Sequence, residues 1–236
     1  LVGSEMCIRD RAIAGEIDSG QRVLDIGTDH GYLAIFLWEN GICPNVIMSD
    51  ISKGSLKKAE DNCSRFYPDK KFDLRLGSGL EVVDKGEADC AVIAGMGGIL
   101  IKDILDKDKE KSQSFDKLVL QPRNNIGILR HWLLNNGFYI SNEQLAEEGK
   151  FICEIITARP GERAVARNLG PERIEYQYPH TLVDFKGPLT KEYLLRKLKK
   201  EKSILRGMMK GSSVDSKSLK KQEYRIDYLE RLINRL

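Results

Sequence analysis

No stretch of the 236 residues approaches the roughly 20 apolar side chains that a membrane-spanning helix needs. The five cysteines, Cys7, Cys43, Cys63, Cys90 and Cys153, are scattered and form no CxxC pair. That spacing excludes a disulfide framework and a zinc-finger pattern, and suits a reducing compartment. The three histidines, His30, His131 and His180, are too far apart in sequence to suggest a metal centre. No GxGxxG occurs, so the usual dinucleotide fingerprint is missing too. The absences point to a cytoplasmic, metal-free, membrane-free chain, and a monomer is expected. What remains, 41% hydrophobic and 31% charged residues, is enough for one sizeable core plus an appendage.

Charge is unevenly placed. From Lys186 to Leu236 there are 15 Lys+Arg against 6 Asp+Glu, so this segment carries +9 of a total of +3 and the rest carries −6. A basic segment on an acidic body suggests a surface for a polyanion, with a solvated helical face as the plainer reading. The first eleven residues, Leu1 to Arg11, lack an initiator Met, an apolar period and a signal-peptide shape. They are read as a non-native leader and set aside from the fold.

Short apolar runs alternate with amphipathic stretches, the pattern of a parallel sheet with crossover helices. Strands are expected at Arg22–Ile26, Val46–Ser49, Phe72–Leu76, Cys90–Ala94 and Lys117–Leu120. Helices are expected at Tyr32–Asn40, Ser52–Arg65, Gly98–Lys107 and Ile126–Asn136. Phe138–Glu147 and Phe151–Arg159 flank Glu148–Gly149–Lys150 and read as a hairpin. An antiparallel hairpin closing a parallel sheet suits the Rossmann-like methyltransferase version of the α/β fold, over residues 12–160. Residues 161–187 show Gly, Pro and no period, and read as a linker. In 188–236, Leu194, Leu198, Leu205 and Met208 form one helical seam, interrupted by Glu201. After a break at Gly211–Ser216, Leu219, Ile226, Leu229, Ile233 and Leu236 form a second, interrupted by Gln222. Two such helices predict an antiparallel coiled coil with basic outer faces.

The strongest local signal is Val23-Leu-Asp-Ile-Gly-Thr-Asp-His-Gly-Tyr-Leu33, a strand, a tight turn and a helix. Its glycines admit a ligand close to the backbone. Asp25 and Asp29 beside them would repel a pyrophosphate but favour a sulfonium and an ammonium group, so the loop prefers S-adenosylmethionine to NAD. Asp50, ending the second strand, suits the ribose hydroxyls, or the cap of the next helix. Gly77-Ser-Gly-Leu80 is a weaker candidate for the cofactor's adenine. Ala94-Gly-Met-Gly-Gly98 places three glycines at a strand end, where backbone meets ligand or base. Gln121-Pro-Arg-Asn-Asn125 offers amides that can read a base edge and an Arg that can contact phosphate.

In order, DIGTDHGYL, SDIS, GSGLE, AGMGG, LVLQP and the LRHWL helix resemble the bacterial tRNA (adenine-N1)-methyltransferases that act on adenosine 22, the TrmK type. The resemblance runs from about Ala12 to Leu236, and the pairing of AGMGG with LxLQP is its specific part. It implies methyl transfer from S-adenosylmethionine to adenine N1 of tRNA, with the C-terminal coiled coil assisting tRNA binding. Cofactor contacts are then expected from Asp25, Gly27, Thr28, His30, Gly31, Asp50, Ile51, Ser78, Gly79, Gly95 and Met96. Substrate contacts are expected from Tyr32, Gly97, Gly98, Gln121, Pro122, Arg123 and Asn124. Asp29 is the candidate catalytic residue, either stabilising charge on the base or accepting an amine proton; binding the methionine ammonium is its other reading. Two positions depart from the family pattern: Ser78 stands where an Asp is usual, and Arg123 where an Asn is usual. Another class I methyltransferase activity, or a silent RNA-binding scaffold, are the alternatives.

Overall fold

Val23, Leu24, Asp25 and Ile26 are all buried, as a central strand with helices on both faces requires. The computed structural model describes residues 6–161, 170–185, 187–210 and 215–236. Within them, β1 (Val23–Ile26), β2 (Val46–Asp50), β3 (Asp73–Leu76), β4 (Cys90–Met96) and β5 (Lys117–Pro122) are parallel. β6 (Phe138–Glu148) and β7 (Phe151–Pro160) form the antiparallel hairpin, and β7 pairs with β5. The strands are ordered β3-β2-β1-β4-β5-β7-β6, a Rossmann-like sheet closed by the expected hairpin.

Alternating residues supply the two faces. Val23, Met48, Val92, Val119 and Ile155 pack under α1 (Ile8–Ala14), α2 (Tyr32–Glu39) and α3 (Lys53–Phe66). Leu24, Ile47, Ile93, Leu120 and Ile156 pack under α4 (Gly98–Lys107) and α6 (Ile126–Asn135). Between those helices lies α5 (Lys109–Ser112), a single turn not expected from the sequence. α3 starts where its period begins, because the Ser52 hydroxyl accepts the Ser55 N–H at 3.2 Å.

The N-terminal segment does not stand outside this fold. Residues 1–5 lie outside the described residues, but α1 begins at Ile8, Met6 is buried, and Arg9 Nη1 pairs with Glu148 at 2.5 Å. The expected linker is also partly core. Residues 162–169 and 186 lie outside the described residues, whereas α7 (Ile174–Gln177) and α8 (Thr181–Asp184) bury Ile174, Tyr178, Leu182 and Val183. These join Tyr193, Leu194, Tyr228, Leu229 and Leu232 in a third, smaller core.

α9 (Thr190–Lys210) and α10 (Ser216–Ile233) pack as a helical hairpin, with residues 211–214 outside the described residues. Of the expected seam residues, Leu194, Ile226 and Leu229 are buried, and Leu236 is exposed beyond the end of α10. The two polar interruptions meet each other. Gln222 Nε2 donates to Glu201 Oε2 at 2.7 Å and to the Glu201 carbonyl at 2.9 Å, and Arg225 Nη2 pairs with Glu201 at 2.8 Å. A buried polar layer of this kind fixes the register of two helices.

One ionic cluster joins the hairpin to the sheet. Arg130 of α6 is almost fully buried, with Nε on Glu143 of β6 at 2.6 Å and Nη2 on Glu154 of β7. Nη1 donates to the carbonyls of Tyr176 and Gln177 at 3.1 and 3.2 Å. The Tyr193 hydroxyl from α9 donates to Glu154, and the Thr181 hydroxyl to Glu143. Burial and the adjacent Glu154 hold the Tyr193 phenol well above its usual range.

Candidate active site

β1 and β4 are neighbours, and the chain leaves β1 toward β2 on one side while β4 continues toward β5 on the other. Ligands of open α/β sheets bind at such a reversal, outside the carboxyl ends of the strands. A cavity of ≈ 330 Å³ sits there, bordered by the β1–α2 loop, the end of β2, the β4–α4 loop and α1. Of the expected cofactor residues it takes Asp25, Gly27, Thr28, His30, Asp50, Gly95 and Met96 as lining, together with Asp29, Tyr32 and Arg123. Arg9, Asp10 and Ile13 complete it from the segment around α1. The first two were missed because they fall in the run set aside as a leader.

The loop is built for close approach. Gly27 has φ +79°, and a Cβ placed on it would lie 2.4 Å from Met96 Cε. Any other residue would force the Met96 methyl group to move and would strain the backbone. Asp29 adopts φ +45°, unusual for a non-glycine residue. Its carboxylate is about half exposed, 3.3 Å from Lys58 Nζ and 3.2 Å from His30 Nε2. The His30 ring stacks on Tyr32 with centroids 5.6 Å apart.

Asp25 is 6% exposed. Burial pushes its carboxyl up to about 6; the Thr28 hydroxyl and Arg9 oppose this, and Asp10 and Asp50 add to it. The Thr28 hydroxyl itself is buried without a well-formed hydrogen bond. A buried acid raised by desolvation and an unsatisfied hydroxyl at the same wall suit a ligand bringing positive charge and hydrogen-bonding groups. Asp50 Oδ1 accepts the Ser52 N–H at 2.8 Å, so it lines the cavity while steadying the turn into α3; the N-cap itself is Ser52.

Several expected residues lie elsewhere. Gly31 sits behind the loop, its Cβ position 3.1 Å from Met48 Sδ and 3.2 Å from Ala59 Cβ. Ile51 is 75% exposed beside Asp50. Ser78 and Gly79 line a neighbouring cavity of ≈ 300 Å³ with Leu100 and Ile104. Gln121 is buried, and its amide is occupied. Its Oε1 accepts the Gly95 N–H at 3.0 Å and its Nε2 lies 3.3 Å from the Pro122 carbonyl, so it shapes the glycine loop instead of presenting an edge to a base.

The loops after β4 and β5 are joined further. Arg123 N–H donates to the Met96 carbonyl at 2.8 Å, and Gly98 N–H to the Asn124 carbonyl at 2.9 Å. A Cβ on Gly98 would lie 2.7 Å from the carbonyl oxygens of both Asn124 and Asn125. Gly97 has Asn124 Oδ1 3.0 Å from its Cβ position. Pro122 and Arg123 also border a larger cavity, ≈ 550 Å³, whose far wall includes Lys197 of α9. Among the described residues no group of three or more His, Cys, Asp or Glu is arranged to hold a metal ion, and no helix is long and apolar enough to cross a membrane.

A seven-stranded sheet with a terminal hairpin, an acidic glycine loop after its first strand and a second glycine loop after its fourth define a class I methyltransferase fold and site. Comparison with known proteins agrees. Residues 7–156 match the family model described as a methyltransferase domain. The tRNA (adenine(22)-N(1))-methyltransferase of Bacillus subtilis is 34% identical over 158 residues, 67% of this chain and 66% of that protein. The crystal structure of the Bacillus subtilis m1A22 tRNA methyltransferase superposes with a TM-score of 0.83 at 28% identity, covering 97% of this chain and 98% of that one. A Streptococcus pneumoniae structure in complex with S-adenosyl-L-methionine gives a TM-score of 0.83 at 25% identity, covering 97% and 99%. The chain belongs to the methyltransferase-domain family, and it is similar to tRNA (adenine(22)-N1)-methyltransferases.

Proposed function

We propose that this chain methylates N1 of adenine in tRNA, at adenosine 22, using S-adenosylmethionine. The observation that carries the reading is the acidic cavity around Gly27, where Asp25, Asp29 and Asp50 favour a cationic cofactor over a pyrophosphate. Two features of the site fit that group: the buried Asp25, and the Thr28 hydroxyl, which has no well-formed hydrogen bond. The substrate assignment is supported by the activity for which the Bacillus subtilis relative is named. The basic charge of the C-terminal segment supports it as well.

Bound S-adenosylmethionine supplies a methyl group on a positively charged sulfur. Adenine N1 holds a lone pair at neutral pH, so the protein need not remove a proton before attack. Its main task is alignment at contact distance. Asp25 and Thr28 hold the methionine end, and Asp50 the ribose. Gly97, Gly98, Pro122, Arg123 and Asn124 border the approach of the base, and the His30–Tyr32 stack gives it a flat wall after it leaves its own stack. Asp29 stabilises positive charge arriving on the base, or takes a proton from the exocyclic amine. The helical hairpin contributes phosphate contacts independent of sequence. The reading places the enzyme in the cytoplasm as a monomer.

The test is transfer of labelled methyl from S-adenosylmethionine to unmodified bacterial tRNA, followed by nucleoside mass spectrometry. N1-methyladenosine that disappears when adenosine 22 is replaced is the expected result. A different methylated nucleoside, or none, overturns the assignment.

A further inference from the structure

The larger cavity, ≈ 550 Å³, lies between the carboxyl edge of the sheet, the turn of the β6–β7 hairpin and α9. Two carboxylates and two cations stand on its wall: Glu148, Glu154, Arg123 and Lys197. The carboxylates are committed. Glu154 is held by Arg130 and by the Tyr193 hydroxyl, and Glu148 by Arg9 at 2.5 Å. Neither Arg123 nor Lys197 forms an ion pair among the described residues. Lys197 instead lies with Nζ 4.7 Å from the centre of the Tyr193 ring. Burial holds its ammonium below the usual lysine range, with the charge of Glu154 opposing the shift.

The wall therefore offers two cations that no side-chain ion pair holds among the described residues. Phe151, 64% exposed, adds a flat apolar face on the same wall. Arg123 borders both this cavity and the cofactor cavity, so an occupant here sits next to the methyl donor. An anion joined to a flat ring, immediately beside the place where a base reacts, has the chemistry of a nucleotide.

We infer that this cavity takes the nucleotide flanking the target adenosine, with its phosphate between Arg123 and Lys197 and its base against Phe151. The inference rests on the proposed RNA substrate. It makes Lys197 a positioning residue, contributed by the C-terminal helices to a site otherwise built from the sheet.

The experiment is tRNA binding by fluorescence anisotropy over a salt series from about 50 to 200 mM, the range in which phosphate contacts dominate the salt response. Lys197→Gln is expected to weaken binding about tenfold and to lower the slope of log affinity against log salt by about one. Lys197→Arg keeps the slope. Phe151→Ala weakens binding with the slope unchanged, and Phe151→Trp restores it. Lys85→Gln, at a lysine paired with Glu110 beyond the opposite edge of the strands, changes neither. Melting temperature and S-adenosylmethionine affinity of each variant, equal to those of the parent, exclude misfolding. Wild-type slope and affinity in Lys197→Gln overturn the inference. Because the readout is binding, a parent protein that binds tRNA without forming N1-methyladenosine would sink the proposed reaction and leave the phosphate contact standing. A parent that does not bind tRNA at all would sink both.

Discussion

Replacing Arg130 with Met tests how the helical hairpin is held to the catalytic sheet. Arg130 is 1% exposed and pairs with two carboxylates, Glu143 and Glu154, that are 4% and 1% exposed. Met fills much of the same volume but leaves both acids buried without a counter-charge. Removing one partner of a buried pair costs about 3–5 kcal/mol, a large share of the 5–15 kcal/mol that holds a domain together. At about 2–4 °C per kcal/mol for a chain of this size, melting should fall by about 6 to 20 °C. Differential scanning calorimetry at neutral pH measures it. Adding Glu143→Gln and Glu154→Gln to Arg130→Met should recover most of the loss, because no charge is left unpaired. A drop below about 2 °C would refute the reasoning. So would a triple variant no better than the single one, which would assign the loss to packing.

Two further changes probe the cofactor cavity. Gly27→Ala drives a Cβ to 2.4 Å from Met96 Cε at φ +79°, and should lower S-adenosylmethionine affinity at least tenfold by titration calorimetry, with Met96→Ala relieving only the contact and not the backbone strain. Asp25→Asn removes a carboxyl whose ordinary value of 3.8 is pushed up to about 6. Such an acid weakens the fold as pH rises from about 4 to 6, by on the order of 3 kcal/mol above that window. The Asn variant should therefore melt higher than the parent at pH 7.5 without cofactor and equally at pH 4, while losing cofactor affinity. Equal melting at pH 7.5 would show that burial of the Asp25 carboxylate does not weaken the fold.

Much of this architecture is written in the order of apolar runs. β1 to β5 fall within a residue or two of their expected spans, and the turn Glu148–Gly149–Lys150 marks the hairpin. α7 and α8 escaped because each is a four-residue turn, too short to display a helical period. Arg130 escaped for another reason. A charged residue in LRHWL reads as surface, and its partners lie 13 and 24 residues away on a hairpin whose pairing decides which side chains face inward. Glu201 and Gln222 read as flaws in two seams until the helices are placed side by side, when each satisfies the other. The same limit governs the site. Asp25, Gly27 and Asp50 were legible from their places at strand ends. The burial of Gln121, and Lys197 facing the sheet from α9, depend on contacts between distant segments.

The joined loops after β4 and β5 carry a consequence for how the site responds to substitution. Gly98 is barred from gaining a side chain by the carbonyls of Asn124 and Asn125, Gly95 is pinned by Gln121, and Met96 is pinned by the backbone of Arg123. A change in either segment is thus felt first in the other, some 25 residues along the chain. The two stretches act as one mechanical unit: a substitution that moves the AGMGG backbone must also move the LQP segment that holds it.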